Sequence, residues 1–376
     1  MESTIQNNKR AILFVRKAVL FLITLIVILV IPLYTLIRMI GKLIKPNFLS
    51  VSKYESKNFI FDYVVYNWLG DKEKAQNNRV FVFFLFPTLF AFILFVVVPF
   101  FHGIYLSMTD WDGLNTGRES FIGFANYQSI FSDVRFLFSF YRTILYSVLN
   151  IVVINAVAFS LALLVTKNLK LKNVYRAGFF MPNLIGGLVL GYIWQFIFNR
   201  AIVTLGGAFA TSLLTNGNTA LFALIVVVTW QYAGYIMMIY IAAIQNIPQD
   251  LVEASTIDGA NAFQRLKTIT LPLVAQAFTV AMFLTLVTSF KQFDTVVSLT
   301  QGGPATLMPQ WFANILGIDS NVAVQSTSLV AMNIYNTAFA NYRLGIGQSK
   351  AIVFFIFLLI ISLLQVYFNK RKEIEL

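Results

Sequence analysis

The sequence predicts an all-α polytopic membrane protein. Apolar residues make up 58% of its 376 positions, whereas charged residues make up only 12%. Several apolar segments reach the roughly 20 residues that a helix, rising about 1.5 Å per residue, needs to cross a bilayer core. This composition excludes a soluble globular fold.

Seven segments are long and apolar enough to be membrane spans. They are residues 16–38, 79–101, 143–165, 174–198, 219–243, 273–292 and 349–369. We expect two regions: an N-terminal extension at 1–78, containing the first hydrophobic helix, and a transmembrane domain at 79–376.

The basic residues predict the orientation of the spans. They concentrate at 38–79 and 166–176, and Lys and Arg are enriched in cytoplasmic loops. Alternation then places the 244–272 connection and the C-terminus in the cytoplasm. The same bias explains the net charge of +12 better than nucleic-acid binding does, because there is no separate basic domain.

A second interpretation is open for two segments, residues 11–45 and residues 322–340. Residues 11–45 could lie in the membrane interface or bend at Pro32, because basic residues bracket this run on both sides. The charged and aromatic segment 46–78 is predicted to lie on the cytoplasmic membrane surface. In the long outward connection 293–348, residues 322–340 could re-enter the membrane or form a further span.

The connection after the fifth span is predicted to form two short helices joined by a bend. Apolar residues recur at helical spacing from Pro248 to Ile257, and Gly259 can adopt the positive φ that ends many helices. Asn261 can then cap a second helix. Such an element could dock against another protein or serve as an ordinary polar connector, and its spacing leaves both interpretations open.

Motifs in and around this connection resemble a known family. Glu253-Ala254-Ser255, Gly259 and Ile269-Thr270-Leu271-Pro272 are similar to the coupling-loop signature of permease subunits of binding-protein-dependent ABC importers, with Ser255 in place of the commoner Ala. Two further stretches resemble the carbohydrate branch that includes the maltose permease MalF: Phe293-Asp294 with Leu299-Thr300-Gln301-Gly302-Gly303-Pro304, and Tyr105–Trp111 with Phe121-Ile122-Gly123 and Asn126-Tyr127. The resemblance covers about residues 80–370.

The resemblance implies a six-helix permease core of the MalF/MetI type, preceded here by an extra N-terminal hydrophobic helix. It also implies a multi-pass protein of the bacterial plasma membrane that forms half of a pathway for a sugar or oligosaccharide. Its partners would be a second permease subunit, two ATPase subunits that bind ATP and Mg, and an external substrate-binding protein. The coupling loop would span about 246–272, with these coupling residues: Glu253, Ala254, Ser255, Asp258, Gly259, Arg265 and Pro272.

Polar residues inside two spans are candidates for solute contact. Thr285, Ser289 and Gln292 lie on one face of the 273–292 span, and the 219–243 span carries Gln231, Tyr232 and Tyr235. Hydroxyls, amides and aromatic rings suit a neutral, hydroxyl-rich solute, and the resemblance places four of these residues at family contact positions: Tyr235, Thr285, Ser289 and Gln292. Hydrogen bonding between helices is the alternative interpretation.

Other polar and small residues in the spans are assigned to packing. We expect Asn150, Asn155 and Gln195 to pack between helices or subunits rather than contact solute. Gly186, Gly187 and Gly191 are expected to allow close helix approach.

Neither catalysis nor metal binding is predicted. The chain has no cysteine and a single histidine, and the segment 345–351 lacks the spacing of a phosphate-binding loop. A secondary transporter is one alternative, but it would normally carry carboxylates deep in its spans. A membrane-embedded glycosyl or lipid transferase is another, for which Asp110 and Asp112 are the only close acidic pair in the 102–142 connection.

Overall fold

The computed structural model describes residues 30–39, 73–114, 119–167, 169–207 and 210–370, together with the single positions 17, 24, 27, 64 and 68. The chain divides into two compact units, residues 1–103 and 104–376. The predicted boundary between an N-terminal extension, 1–78, and a transmembrane domain, 79–376, stays a prediction.

The first unit contains a short apolar helix and most of a long one. Helix α1 covers Val30–Met39, and α2 covers Glu73–Leu106, whose most apolar stretch has a mean hydropathy of 2.9. Arg79 of α2 donates a hydrogen bond of 2.7 Å from Nη1 to the carbonyl oxygen of Trp68. Most of the predicted 16–38 span and of the 46–78 segment lies outside the described residues, so the predictions for both remain predictions.

The second unit is a helical bundle with a small two-stranded sheet. Its helices, in chain order, are α3 Ala125–Ser132, α4 Val134–Val165, α5 Lys172–Phe180, α6 Gly187–Leu205, α7 Gly217–Gln245, α8 Gln249–Ile257, α9 Ala262–Leu273, α10 Ala275–Phe290, α11 Asp294–Leu299, α12 Gln310–Leu316, α13 Val330–Tyr335 and α14 Leu344–Lys370. Among the described residues, five helices are long and apolar enough to cross a membrane, namely α2, α4, α6, α7 and α14; the pair α9 and α10, bent by 70°, would make a sixth span. The predicted all-α polytopic fold with a six-helix core is therefore confirmed.

Helix α7 lies at the centre of this bundle, with 61% of its most apolar stretch buried. It runs parallel to α4, because Arg142 of α4 contacts Gly217 at the start of α7, whereas Asn155 of α4 contacts Tyr240 near its end. Helix α10 runs antiparallel to α4, and α14 packs against α10 through Phe290 and other rings. The connection that follows α7 therefore lies at the opposite end of the bundle from Arg142.

The predicted span 174–198 was wrong in its bounds. Helix α5 ends at Phe180, a 3₁₀ turn covers Met181–Leu184, and α6 begins only at Gly187. The turn contains Pro182, which lacks a backbone N–H and so cannot continue the α-helical hydrogen-bond pattern. Because the apolar run continues through the break, hydropathy does not reveal it, and the membrane-length helix is Gly187–Leu205.

The additional span considered at 322–340 is absent. Strand β1, Ala305–Leu307, pairs antiparallel with β2, Ala323–Gln325, and α12 lies between them. After β2 the chain forms only α13 and a π-helical turn, Asn336–Ala340, before α14. Arg142 Nε donates a hydrogen bond of 2.6 Å to the carbonyl oxygen of Ser326 in this region, which ties the hairpin to α4.

Candidate functional site

The connection between α7 and α10 bends at Gly259, as predicted. Gly259 has a φ of +77°, and an added Cβ would meet nothing within 4 Å, so the constraint on this residue is its backbone conformation rather than crowding. The N–H of Ala260 donates to Ser255 O at 2.9 Å, and the N–H of Gly259 donates to Thr256 O at 3.1 Å. These two bonds form a Schellman motif, which satisfies the last carbonyls of α8.

The second arm begins with a complete capping box at Asn261. The N–H of Gln264 donates to Asn261 Oδ1 at 2.9 Å, and the N–H of Asn261 donates to Gln264 Oε1 at 2.8 Å. Arg265 Nη1 reaches back across the bend to Thr256 Oγ1 at 3.2 Å and Ala260 O at 3.3 Å. The two arms are therefore held together by hydrogen bonds within the connection itself.

The connection exposes apolar side chains as well as charges. Ile257 is 86% exposed and Phe263 is 72% exposed, although both are large apolar side chains. Among the predicted coupling residues, Ser255 is buried, Arg265 and Pro272 are half-buried, and four are exposed: Glu253, Ala254, Asp258 and Gly259. Exposed apolar groups beside carboxylates form a surface suited to a protein partner.

This surface is linked to the helices of the bundle on both sides. Helix α7 ends at Gln245, three residues before Pro248. On the other side, α9 meets α10 at a bend of 70° near Val274. Because both neighbouring helices belong to the bundle core, a displacement of the connection acts on α7 and α10.

The structure places two of the predicted solute contacts inside the bundle. Thr285 and Ser289 are 1% and 0% exposed. Asn155 Nδ2 donates to Thr285 Oγ1 at 2.9 Å, and Asn150 Nδ2 donates to Ser289 Oγ at 2.8 Å. These side chains form hydrogen bonds between α4 and α10, which is the packing interpretation.

Three other predicted contacts come together in a small cavity. Its volume is about 210 Å³, and Gln231, Tyr232 and Gln292 line it. Gln231 Nε2 donates to Ile185 O at 3.0 Å, but Gln231 Oε1 is buried and has no hydrogen-bond partner among the described residues. Thr295 also lines the cavity, and its hydroxyl oxygen, Oγ1, is likewise buried without a hydrogen-bond partner among the described residues. The residues that line this cavity thus carry two buried polar atoms without hydrogen-bond partners, and such atoms are normally satisfied by water or a polar ligand.

The cavity also contains residues that the sequence analysis did not assign to solute binding. Lys291 and Asp294 supply opposite charges, and Thr288 adds a hydroxyl. The Phe293-Asp294 motif could have identified Asp294 as a site residue from the sequence. No local sequence pattern marked Thr295 as one. Tyr235, 37% exposed and about one turn beyond Gln231, does not line this cavity.

Two of the three glycines expected to allow close helix approach do so next to the cavity, whereas a Cβ added at the third, Gly186, would meet nothing within 4 Å. A Cβ added at Gly191 would overlap with the Ser298 side chain, and one added at Gly187 would lie 3.0 Å from Asp294 Cβ. Gln195 Nε2 donates to Leu299 O at 3.0 Å, consistent with its assignment to packing. Helix α6 thereby packs closely against α11, which carries Asp294 and Thr295.

The bundle, its exposed bent connection and its polar cavity define a multi-pass membrane permease core. Residues 154–374 match the family described as binding-protein-dependent transport system inner membrane component, and the chain belongs to this family. It is 40% identical over 313 residues to AmyD of Thermoanaerobacterium thermosulfurigenes, a probable starch degradation products transport system permease; the match covers 82% of this chain and 100% of AmyD.

Two further similarities agree with this assignment. MsmF of Streptococcus mutans, a multiple sugar-binding transport system permease, is 28% identical over 296 residues, which cover 77% of this chain and 95% of MsmF. The crystal structure of a bacterial ABC transporter involved in the import of the acidic polysaccharide alginate superposes with a TM-score of 0.63 at 19% identity, covering 79% of this chain and 96% of that chain. The structural similarity to this transporter supports the fold described above for this chain.

Proposed function

We propose that this chain forms half of the translocation pathway for a sugar or oligosaccharide in an ATP-driven importer of the bacterial plasma membrane. It would work with a second permease subunit, two ATPase subunits and an external substrate-binding protein. The observation that carries this proposal is the rigid, exposed bend at Gly259, beside Ile257 and Phe263. The similarity to AmyD and MsmF, permeases named for starch degradation products and for multiple sugars, supports the carbohydrate class.

In this proposal the connection is the coupling loop to an ATPase subunit and faces the cytoplasm, as does the C-terminus. Ile257 and Phe263 would insert into an apolar cleft of the partner, while Glu253 and Asp258 would meet cationic groups at its rim. The chain would carry no catalytic site itself, and ATP and Mg would bind to the ATPase subunits. Because the loop is held by its own hydrogen bonds, rotation of the ATPase would move α7 and α10 as a rigid-body displacement.

The solute would pass the cavity beside α7 and α10. Gln231, Tyr232 and Gln292 would exchange hydrogen bonds with its hydroxyls, and Tyr235 would offer a ring about one turn further along α7. Thr285 and Ser289 would hold α10 against α4. A cavity of about 210 Å³ is smaller than most ligand sites, which span roughly 300–1,000 Å³, so the second permease subunit would supply the remaining wall.

The test is co-purification and transport after co-expression with candidate partner genes. We expect an ATPase to co-purify with the wild-type chain, and Glu253→Lys to reduce transport about tenfold or more by placing a like charge against the partner's cations. Asp319→Lys, which changes an exposed carboxylate far from the loop along the chain, is the matched control. Normal transport by Glu253→Lys, or a stable transport-competent assembly without an ATPase, would refute the proposal.

A further inference from the structure

A second and larger cavity lies at the end of the bundle opposite the coupling loop. Its volume is about 830 Å³, and it is lined by the start of α4, the β-hairpin, α13 and the first turns of α14. Helix α7 has 29 residues, so at 1.5 Å per residue about 43 Å separate its start, near this cavity, from the loop that follows its end. The cavity is therefore separate from the coupling surface.

One ion pair forms the inner wall of this cavity. Lys350 Nζ contacts Asp133 Oδ2 at 2.7 Å, and the Lys350 side chain is only 2% exposed. The same ammonium donates to Asn333 Oδ1 at 2.9 Å and to Thr337 Oγ1 at 2.8 Å, so all three of its hydrogens have acceptors. Lys350 thus neutralises Asp133 and has no donor left for a ligand.

The remaining charges in the wall are both positive. Arg135 and Arg343 line the cavity and are exposed, and neither guanidinium makes a hydrogen bond or ion pair with a described residue. Three cations and one carboxylate therefore leave a surplus of two positive charges. The smaller membrane cavity differs, because Lys291 and Asp294 balance each other there.

Uncharged donors and acceptors surround the two guanidinium groups. Asn333 Oδ1 is engaged by Lys350 and its Nδ2 donates to Ser139 Oγ at 3.5 Å, which leaves one amide hydrogen of Asn333 as a donor. Three other amide side chains line the wall without a side-chain hydrogen bond to a described residue: Gln325, Asn336 and Asn341. Guanidinium groups bind oxyanions, and amides both donate to and accept from hydroxyls. The volume falls within the usual range for small-molecule sites, roughly 300–1,000 Å³.

We propose that this cavity binds an anionic, hydroxyl-rich solute, such as an acidic saccharide, whose oxyanion meets Arg135 and Arg343 while the amides bind its hydroxyls. The inference rests on the proposed import function, because it requires this end of the bundle to face the side from which solute arrives. The ion pair between Lys350 and Asp133 acts as a positioning element that orients Asn333 and Thr337.

The test is direct binding to the full-length chain, in the assembly in which it purifies, reconstituted in phosphatidylcholine nanodiscs without ATP. Trigalacturonic acid is the acidic probe and maltotriose the neutral one. We expect the acidic probe to bind at least about tenfold more tightly, and Arg135→Gln or Arg343→Gln each to weaken it about tenfold. Arg200→Gln, an exposed arginine that does not line the cavity, should leave binding unchanged.

Two competition experiments distinguish a saccharide ligand from other anions that could occupy the cavity. Inorganic phosphate should compete only weakly, because it cannot use the amides that bind hydroxyls. Phosphatidylglycerol in the nanodisc should not displace the saccharide; displacement by this lipid would identify a lipid headgroup site and overturn the proposal. Equal affinity for maltotriose and trigalacturonic acid, or unchanged binding in both arginine variants, would also overturn it. Because the assay uses neither ATP nor transport, its failure would leave the coupling-loop test unaffected.

Discussion

The Tyr240 hydroxyl of α7 donates a hydrogen bond of 2.6 Å to Asn155 Oδ1 of α4. The amide nitrogen of the same asparagine donates to Thr285 Oγ1 of α10. One buried side chain thus links α7, which precedes the bent connection, α10, which follows it, and α4.

Replacing this asparagine should loosen the bundle. Asn155→Leu leaves the Tyr240 hydroxyl buried without its acceptor, and an unsatisfied buried group costs about 1–3 kcal/mol. We expect a lower midpoint of thermal unfolding in detergent, whereas Ser160→Ala on the exposed face of α4 should have little effect. Tyr240→Phe in the Asn155→Leu background should recover part of the loss; a loss equal to the sum of the two single variants would contradict the link.

Gly259→Ala should weaken coupling while leaving the spans intact. An alanine at a φ of +77° is strained by about 1–2 kcal/mol, and the surrounding space is open, so the strain acts on the bend alone. We expect lower solute-stimulated ATPase activity and normal membrane insertion. Gly178→Ala is the matched control, because its added Cβ also meets nothing within 4 Å but its φ is not positive. Equal activities for the two variants would contradict this account of the bend.

Ile257→Ser should reduce binding of the ATPase subunits. This side chain is 86% exposed in the chain alone, and burying an isoleucine contributes roughly 1.5–3 kcal/mol. We expect the dissociation constant for the ATPase to rise about tenfold or more, as measured by pull-down at graded concentrations. Ile315→Ser, at a 72% exposed isoleucine in α12, should bind the ATPase normally. The docking assignment fails if the two variants behave alike.

Gln231→Leu should raise the KM for transport by up to about tenfold, because it removes a side-chain amide that lines the membrane cavity, and one hydrogen bond to a polar solute is worth about 0.5–1.5 kcal/mol. The variant also removes the bond to Ile185 O, so its thermal stability must be measured in parallel. Gln128→Leu, at an exposed glutamine of α3, is the control. An unchanged KM in a correctly folded Gln231→Leu protein would exclude this residue from the solute site.

Local patterns predicted the loop well because its determinants act within a few residues. The bend at Gly259 and the capping box at Asn261 are formed by groups no more than five residues apart in the chain. Of the seven spans predicted from long apolar runs, six correspond to membrane-length helices of the described residues when α9 and α10 are taken as one bent span, since crossing a bilayer depends on segment composition and length.

The break at Pro182 was missed because hydropathy does not register it. The Ile185 carbonyl there is satisfied by Gln231, 46 residues further along the chain. Thr295 was missed for a similar reason, since only the packing of α11 against α6 brings it to the cavity. The segment 322–340 shows the same limit, because pairing of β2 with β1 and the contact with Arg142 set its structure.

The sequence by itself determined the class of protein, six of the seven predicted membrane-length segments and the bent form of the connection between α7 and α10, because each depends on composition or short-range hydrogen bonds. Only the tertiary structure decided which polar side chains are engaged within the bundle and which face a cavity. The sequence placed Thr285, Ser289 and Gln292 on one helical face, but α10 ends at Phe290, so Gln292 lies beyond the helix and lines the cavity, whereas Asn155 and Asn150 engage the first two. A helical periodicity specifies a face only as far as the helix extends, and the neighbouring helix determines what that face meets.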